Sequence, residues 1–77
     1  MSEKAQEASE AITIIANGQP HTIEAGCSIA HFLATLHIRP EYVVAQLDGA
    51  IVPRNVLDKT LLMEGQRLEI VTMVGGG

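Results

Sequence analysis

The chain has 77 residues, of which 47% are hydrophobic and only 3% aromatic, so its core must be built from Val, Ile, Leu and Ala. That is one small domain, near the lower size limit for independent folding, burying only about 60% of its unfolded surface. The net charge of -4 comes with five Lys and Arg in all; scattered along the chain, they make no basic stripe of the kind that nucleic-acid binding requires.

A basic partner surface is the easier electrostatic match. No run approaches the roughly 20 apolar residues that cross a bilayer, and the N-terminal SEKAQEASE has no apolar signal-peptide core. Cys27 is the single cysteine, which excludes a disulfide framework and a four-thiolate iron–sulfur site. The expected setting is the reducing cytoplasm, with neither nucleic acid nor membrane as partner.

Residues 1–10 offer no large apolar side chain after Met1 and read as a disordered or weakly structured extension. Residues 11–74 read as the folded domain, and residues 75–77 as a flexible glycine tail. Ile12 to Ala16 is β-branched and reads as a strand. Asn17-Gly18 is a two-residue hairpin signal. Pro20 to Glu24 is the return strand, and the missing N–H of Pro20 puts it at a strand start or a sheet edge.

Ser28 is a good helix N-cap. Ile29, Phe32, Leu33 and Leu36 follow at i, i+3, i+4 and i+7, one apolar helical face. The expected helix is about ten residues, stopped by Arg39-Pro40 and too short to stand alone. Tyr42 to Leu47 is the next strand. Asp48-Gly49 gives a second hairpin to Ile51-Val52, closed by Pro53. Residues 54–63 look irregular, with a helical turn near Val56-Leu57. Glu64-Gly65 turns the chain into a last strand, Arg67 to Thr72. A hairpin, one helix and further strands predict an α+β domain: a mixed sheet of four to five strands with the helix across one face.

Four segments carry a family likeness. They are the first strand running into Asn17-Gly18, the helix opening Ser28-Ile29 and continuing to Phe32-Leu33 and Leu36, the block Val44 to Arg54, and the end Glu69-Ile-Val-Thr-Met-Val-Gly-Gly-Gly77. On these residues the chain resembles the thiamine-pathway sulfur-carrier proteins, the ThiS family of ubiquitin-like β-grasp proteins. Asp48 departs from the Asn common in that family, and the N-terminal extension is unusual for it. Glycine can thread a narrow channel because it lacks a Cβ. The links from Met73 to Gly77 reach about 13 Å, which carries the Gly77 carboxylate clear of the body.

The resemblance implies that a ubiquitin-activating-like enzyme uses ATP to adenylate Gly77, with Gly76 and Gly75 leading into its active site. Sulfur from a cysteine-desulfurase-derived persulfide then gives a thiocarboxylate, which donates to thiazole synthase. The carrier is a protein co-substrate, not an enzyme, and binds no cofactor of its own. Relatives that serve molybdopterin or tRNA thiolation share the fold and the Gly-Gly end. A ubiquitin-like modifier and a non-covalent adaptor are the competing classes.

Alternation along the strands predicts the docking surface. Leu68 and Ile70 face the helix, as do Val43, Ala45 and Leu47, and Ile12 and Ile14. Ile15, Val44, Val71 and Met73 are left as an apolar patch on the open face, continued by Val74, with Arg54 as a further partner contact. No metal site is expected. Cys27 and His31 share an i, i+4 spacing, but zinc needs three or four ligands, and neither His21 nor His37 is placed to complete a set. Cys27 reads as a packing cysteine, and Asn17-Gly18 and Glu64-Gly65 as turns rather than phosphate loops.

Overall fold

The structure is a computed structural model, and it describes residues 10–73. Strands β1 (Ala11–Ala16) and β2 (Gln19–Glu24) form the first hairpin. Helix α1 (Ile29–Thr35) follows, then β3 (Val43–Leu47), β4 (Ala50–Val52) and β5 (Arg67–Thr72). The five strands make one mixed sheet in the order β2-β1-β5-β3-β4, with β1 and β5 parallel and the other pairs antiparallel. This is the α+β architecture that the pattern predicts, with a single α-helix among the described residues.

Both hairpin turns need left-handed backbone at two consecutive residues. Asn17 and Gly18 have φ of 49° and 81°, and Asp48 and Gly49 have φ of 50° and 90°. Asn, Asp and Gly tolerate this region best. The same turns also hold the last strand. The Asn17 carboxamide meets Ile70 of β5: Oδ1 accepts from the Ile70 N–H at 2.7 Å and Nδ2 donates to the Ile70 carbonyl at 3.1 Å. From the other side, the Asp48 Oδ1 accepts the Arg67 N–H at 2.9 Å, and the Asp48 N–H donates to the Arg67 carbonyl at 2.8 Å. Asn17-Gly18 is therefore more than the turn read from the sequence.

The helix is shorter than predicted. It has seven residues and ends at Thr35, with Leu36 as its cap. His37 takes a left-handed φ of 61°. The His37 N–H donates to the Ala34 carbonyl and the Ile38 N–H to the Leu33 carbonyl, both at 3.0 Å. This is a Schellman termination with histidine where glycine is usual, and it stops the helix before Arg39-Pro40 can act. Leu36, expected on the apolar face, is consequently exposed. Pro40 opens a 3-10 turn, Pro40–Tyr42, which takes Tyr42 out of the predicted strand.

At the helix start, Ser28 Oγ accepts the His31 N–H at 3.0 Å, the capping bond expected of it. Two more first-turn donors are satisfied from residues 57–60: Ile29 N–H by the Thr60 carbonyl and Ala30 N–H by the Leu57 carbonyl. The irregular segment thereby closes the core. Its 3-10 turn spans Arg54–Val56, just before the predicted position. The buried cluster joins Ile29, Phe32 and Leu33 of α1 to Ile14, Val43, Ala45, Leu68 and Ile70 of the sheet, with Leu57 and Leu62 beneath.

Candidate functional site: the open sheet face and the exit of β5

Among the described residues, helix α1 covers one face of the sheet and nothing covers the other. Residues paired directly across strands share a face. Val44 pairs with Val71, Gln46 with Glu69, and Ile15 with Arg67, so these six side chains lie on the open side. The alternation read from the sequence is correct here: Leu68, Ile70, Val43, Ala45 and Ile14 are buried, while Val71 is 57% and Met73 47% exposed. Ile12 and Leu47 are half-buried against the core.

The register does not make all four expected residues one patch. Val44, Val71 and Met73 cluster where β5 leaves the sheet. Ile15 sits beside Arg67, four positions back along β5 from Val71, or about 13 Å. The charged pair Arg67 and Glu69 lies between. Ile51 joins this face instead: it pairs with Gln46 and is 66% exposed. The signal was available, because a two-residue turn at Asp48-Gly49 places Ile51 opposite Gln46.

The exit is anchored. The Met73 N–H donates to the Tyr42 carbonyl at 2.7 Å, continuing the β3–β5 ladder one step beyond Thr72. Arg54 lies nearby in the chain of contacts: its Nη2 donates to the Glu41 carbonyl at 3.2 Å, and the side chain is otherwise exposed. Val74, Gly75, Gly76 and Gly77 lie outside the described residues, as does the extension before Glu10.

Cys27 and His31 line a groove between β2 and α1, away from this exit. The Cys27 thiol is half-buried and donates to the Ser28 carbonyl at 3.4 Å. Burial first, and the charge of Glu24 second, push its pKa up, against thiolate chemistry at neutral pH. Among the described residues, no three His, Cys, Asp or Glu side chains come together as metal ligands, and no helix is long and apolar enough to cross a membrane.

A sequence model of the ThiS family matches residues 6–77. The chain belongs to the ThiS family. The crystal structure of the thiamine biosynthesis protein ThiS from Geobacter metallireducens superposes with a TM-score of 0.74 at 28% identity, covering 86% of this chain and all of the other. The solution structure of a thiamine biosynthesis protein from the same organism gives 0.69 at 28%, covering 86% of this chain and 88% of the other. The family and its ubiquitin-like β-grasp fold are thus as the motifs implied, and its members are small sulfur carriers rather than catalysts.

Among sequence relatives, a thiazole synthase from Magnetococcus marinus is 36% identical over 61 residues, 79% of this chain. The chain spans only 19% of that protein's length. An uncharacterized protein, ycf40, from Pyropia yezoensis is 32% identical over 66 residues, covering 86% of this ThiS-family chain and 93% of the relative.

Proposed function

We propose that this protein carries sulfur on the Gly77 carboxylate for formation of the thiazole of thiamine. A free carboxylate resists nucleophiles because it is anionic and would have to expel oxide. Attack of one of its oxygens on the α-phosphorus of ATP forms the acyl adenylate and releases pyrophosphate. A persulfide sulfur derived from a cysteine desulfurase then adds to the carbonyl carbon, and AMP leaves. A second thiol attacks the inner, cysteine sulfur and breaks the S–S bond, taking that inner sulfur into a disulfide and leaving the outer sulfur on Gly77 as the thiocarboxylate. Its sulfur is the nucleophile delivered at thiazole synthase.

The chemistry belongs to the ubiquitin-activating-like adenylating enzyme and the synthase. The carrier supplies recognition and delivery. The observation that best supports this reading is the anchoring of β5 immediately before the tail, beside the half-buried Val44 and the exposed Val71 and Met73. A partner that docks there receives Gly75 to Gly77 from a fixed origin. The thiazole synthase relative lends further support, since one polypeptide of that name contains a segment similar to this chain.

The test is the intact mass of the protein after incubation with ATP, an adenylating enzyme and a persulfide source. A gain equal to exchange of one oxygen for sulfur, absent after deletion of Gly77, is the expected result. No gain, with the same enzyme active on another carrier, overturns the proposal.

A further inference from the structure

The edge of β2 borders a groove that the carrier reading does not use. Among the described residues, β2 is outermost in the sheet and pairs only with β1. Its free edge can be read from the hydrogen bonds of β1. The Ile15 N–H reaches the Gln66 carbonyl, and the Thr13 carbonyl accepts the Gly65 N–H. Thr13 and Ile15 therefore point their backbone groups toward β5, and Ile12, Ile14 and Ala16 point theirs toward β2, at Ile23, His21 and Gln19. By the alternation of an antiparallel ladder, Pro20, Thr22 and Glu24 face outward. The Glu24 carbonyl is taken by the Cys27 N–H at 3.2 Å. Among the described residues nothing pairs with the Thr22 N–H and carbonyl or the Glu24 N–H, and these are the groups an added strand would take. Pro20 has no N–H, so the pairing stops short of the hairpin tip.

The groove beside this edge has a volume of about 660 Å³. Ile23, Phe32 and Leu61 give it an apolar lining, and Leu61 is 52% exposed. Glu24 and Asp58 are its formal charges, with His31 as the single basic side chain, so its character is acidic. Arg39, Arg54 and Arg67 are not among its lining residues. The charge of Glu24 is felt inside it, since it raises the Cys27 pKa.

We propose that this groove binds an extended partner segment of alternating apolar and basic side chains, added as a sixth strand on β2. Backbone pairing at Thr22 and Glu24 supplies the affinity common to strand addition. The apolar side chains enter the groove toward Phe32 and Leu61, and the basic ones, on the opposite face of the added strand, meet Glu24, which shares that face with its pairing partner Ala11. The strand register separates this site from the exit of β5. Ala11, opposite Glu24, is four residues before Ile15, while Thr72 is five after the paired Arg67, an offset on the order of 30 Å along the strands. A partner held on β2 leaves the open face and the tail free.

The proposal does not depend on the carrier chemistry and fails separately from it. The test is an NMR titration of the isotope-labelled full chain with a capped peptide, Lys-Val-Thr-Val-Lys-Val-Thr. Saturable shifts and slowed exchange are expected at the Thr22 and Glu24 amides, without further slowing at Ile23, which already bonds to β1. Replacing both peptide lysines with glutamate should weaken binding about tenfold, and E24Q should weaken it severalfold. T22P removes the outward N–H and should abolish it. A peptide methylated on its backbone nitrogens tests the same bonds without altering the fold. Unchanged Thr22 and Glu24 amides at millimolar peptide overturn the proposal. So does equal binding of the glutamate peptide, or saturation confined to the Val44 and Val71 face.

Discussion

Asn17 replaces a missing peptide unit beside Ile70. β1 ends at Ala16, and the Asn17 carboxamide continues the pairing by bonding both the N–H and the carbonyl of Ile70. Removing it leaves two part-buried backbone groups unpaired. N17G keeps the left-handed turn and should lose about 1–3 kcal/mol. N17A should lose about 1 kcal/mol more, because alanine resists positive φ. Urea unfolding of the two variants separates the bonding loss from the backbone loss.

The same backbone argument has the opposite sign at His37. A non-glycine residue in the left-handed region costs about 1–2 kcal/mol, and glycine's greater freedom in the unfolded chain returns part of that cost. H37G should therefore raise stability by about 0.5–1 kcal/mol, read as a higher urea midpoint at unchanged slope.

Cys27 gives a pH signature. Its pKa is raised in the folded protein by burial and by Glu24. The unfolded chain therefore loses this proton first as pH increases. The Cys27 contribution is constant below the ordinary thiol pKa and declines as pH rises through the folded one. The stability difference between wild type and C27A should fall over that alkaline window and stay flat below it. Iodoacetamide labelling at neutral pH should be slower for the folded chain than for the chain in urea.

Val71 separates docking from folding. Its side chain is mostly exposed beside Val44, so V71D should change stability by no more than about 1 kcal/mol. If the open face receives the adenylating enzyme, V71D should weaken the complex at least tenfold, as expected for loss of a central apolar contact. I15D, beside Arg67 and outside that cluster, should weaken it less. Calorimetric titration of both variants checks the ranking.

Much of this architecture was legible because local and global signals agree. The β-branched runs, the two turn dipeptides and Ser28 each specify a local geometry, and together they admit few arrangements. The helix end was misread because the Schellman turn depends on His37 entering a region that histidine rarely occupies, and no residue pattern announces it. The roles of Asn17 and Asp48 in holding β5 were hidden for a different reason. They bond residues 53 and 19 positions away, a relation that exists only once the strand order is known. On the open face, alternation identified the sides correctly, but register alone could show that Ile15 and Val71 are separated and that Ile51 belongs there.

The central position of β5 has a mechanical consequence. It pairs with β1 on one flank and β3 on the other, and both turns hold it by side-chain bonds. A pull applied beyond Met73 runs lengthwise along β5. It loads the hydrogen bonds of both flanks together in shear, whereas the same pull on an edge strand would be resisted by one flank alone. Force at the chain end is thus shared across the middle of the sheet, and drawing the tail into another protein's active site need not unravel the domain that carries it.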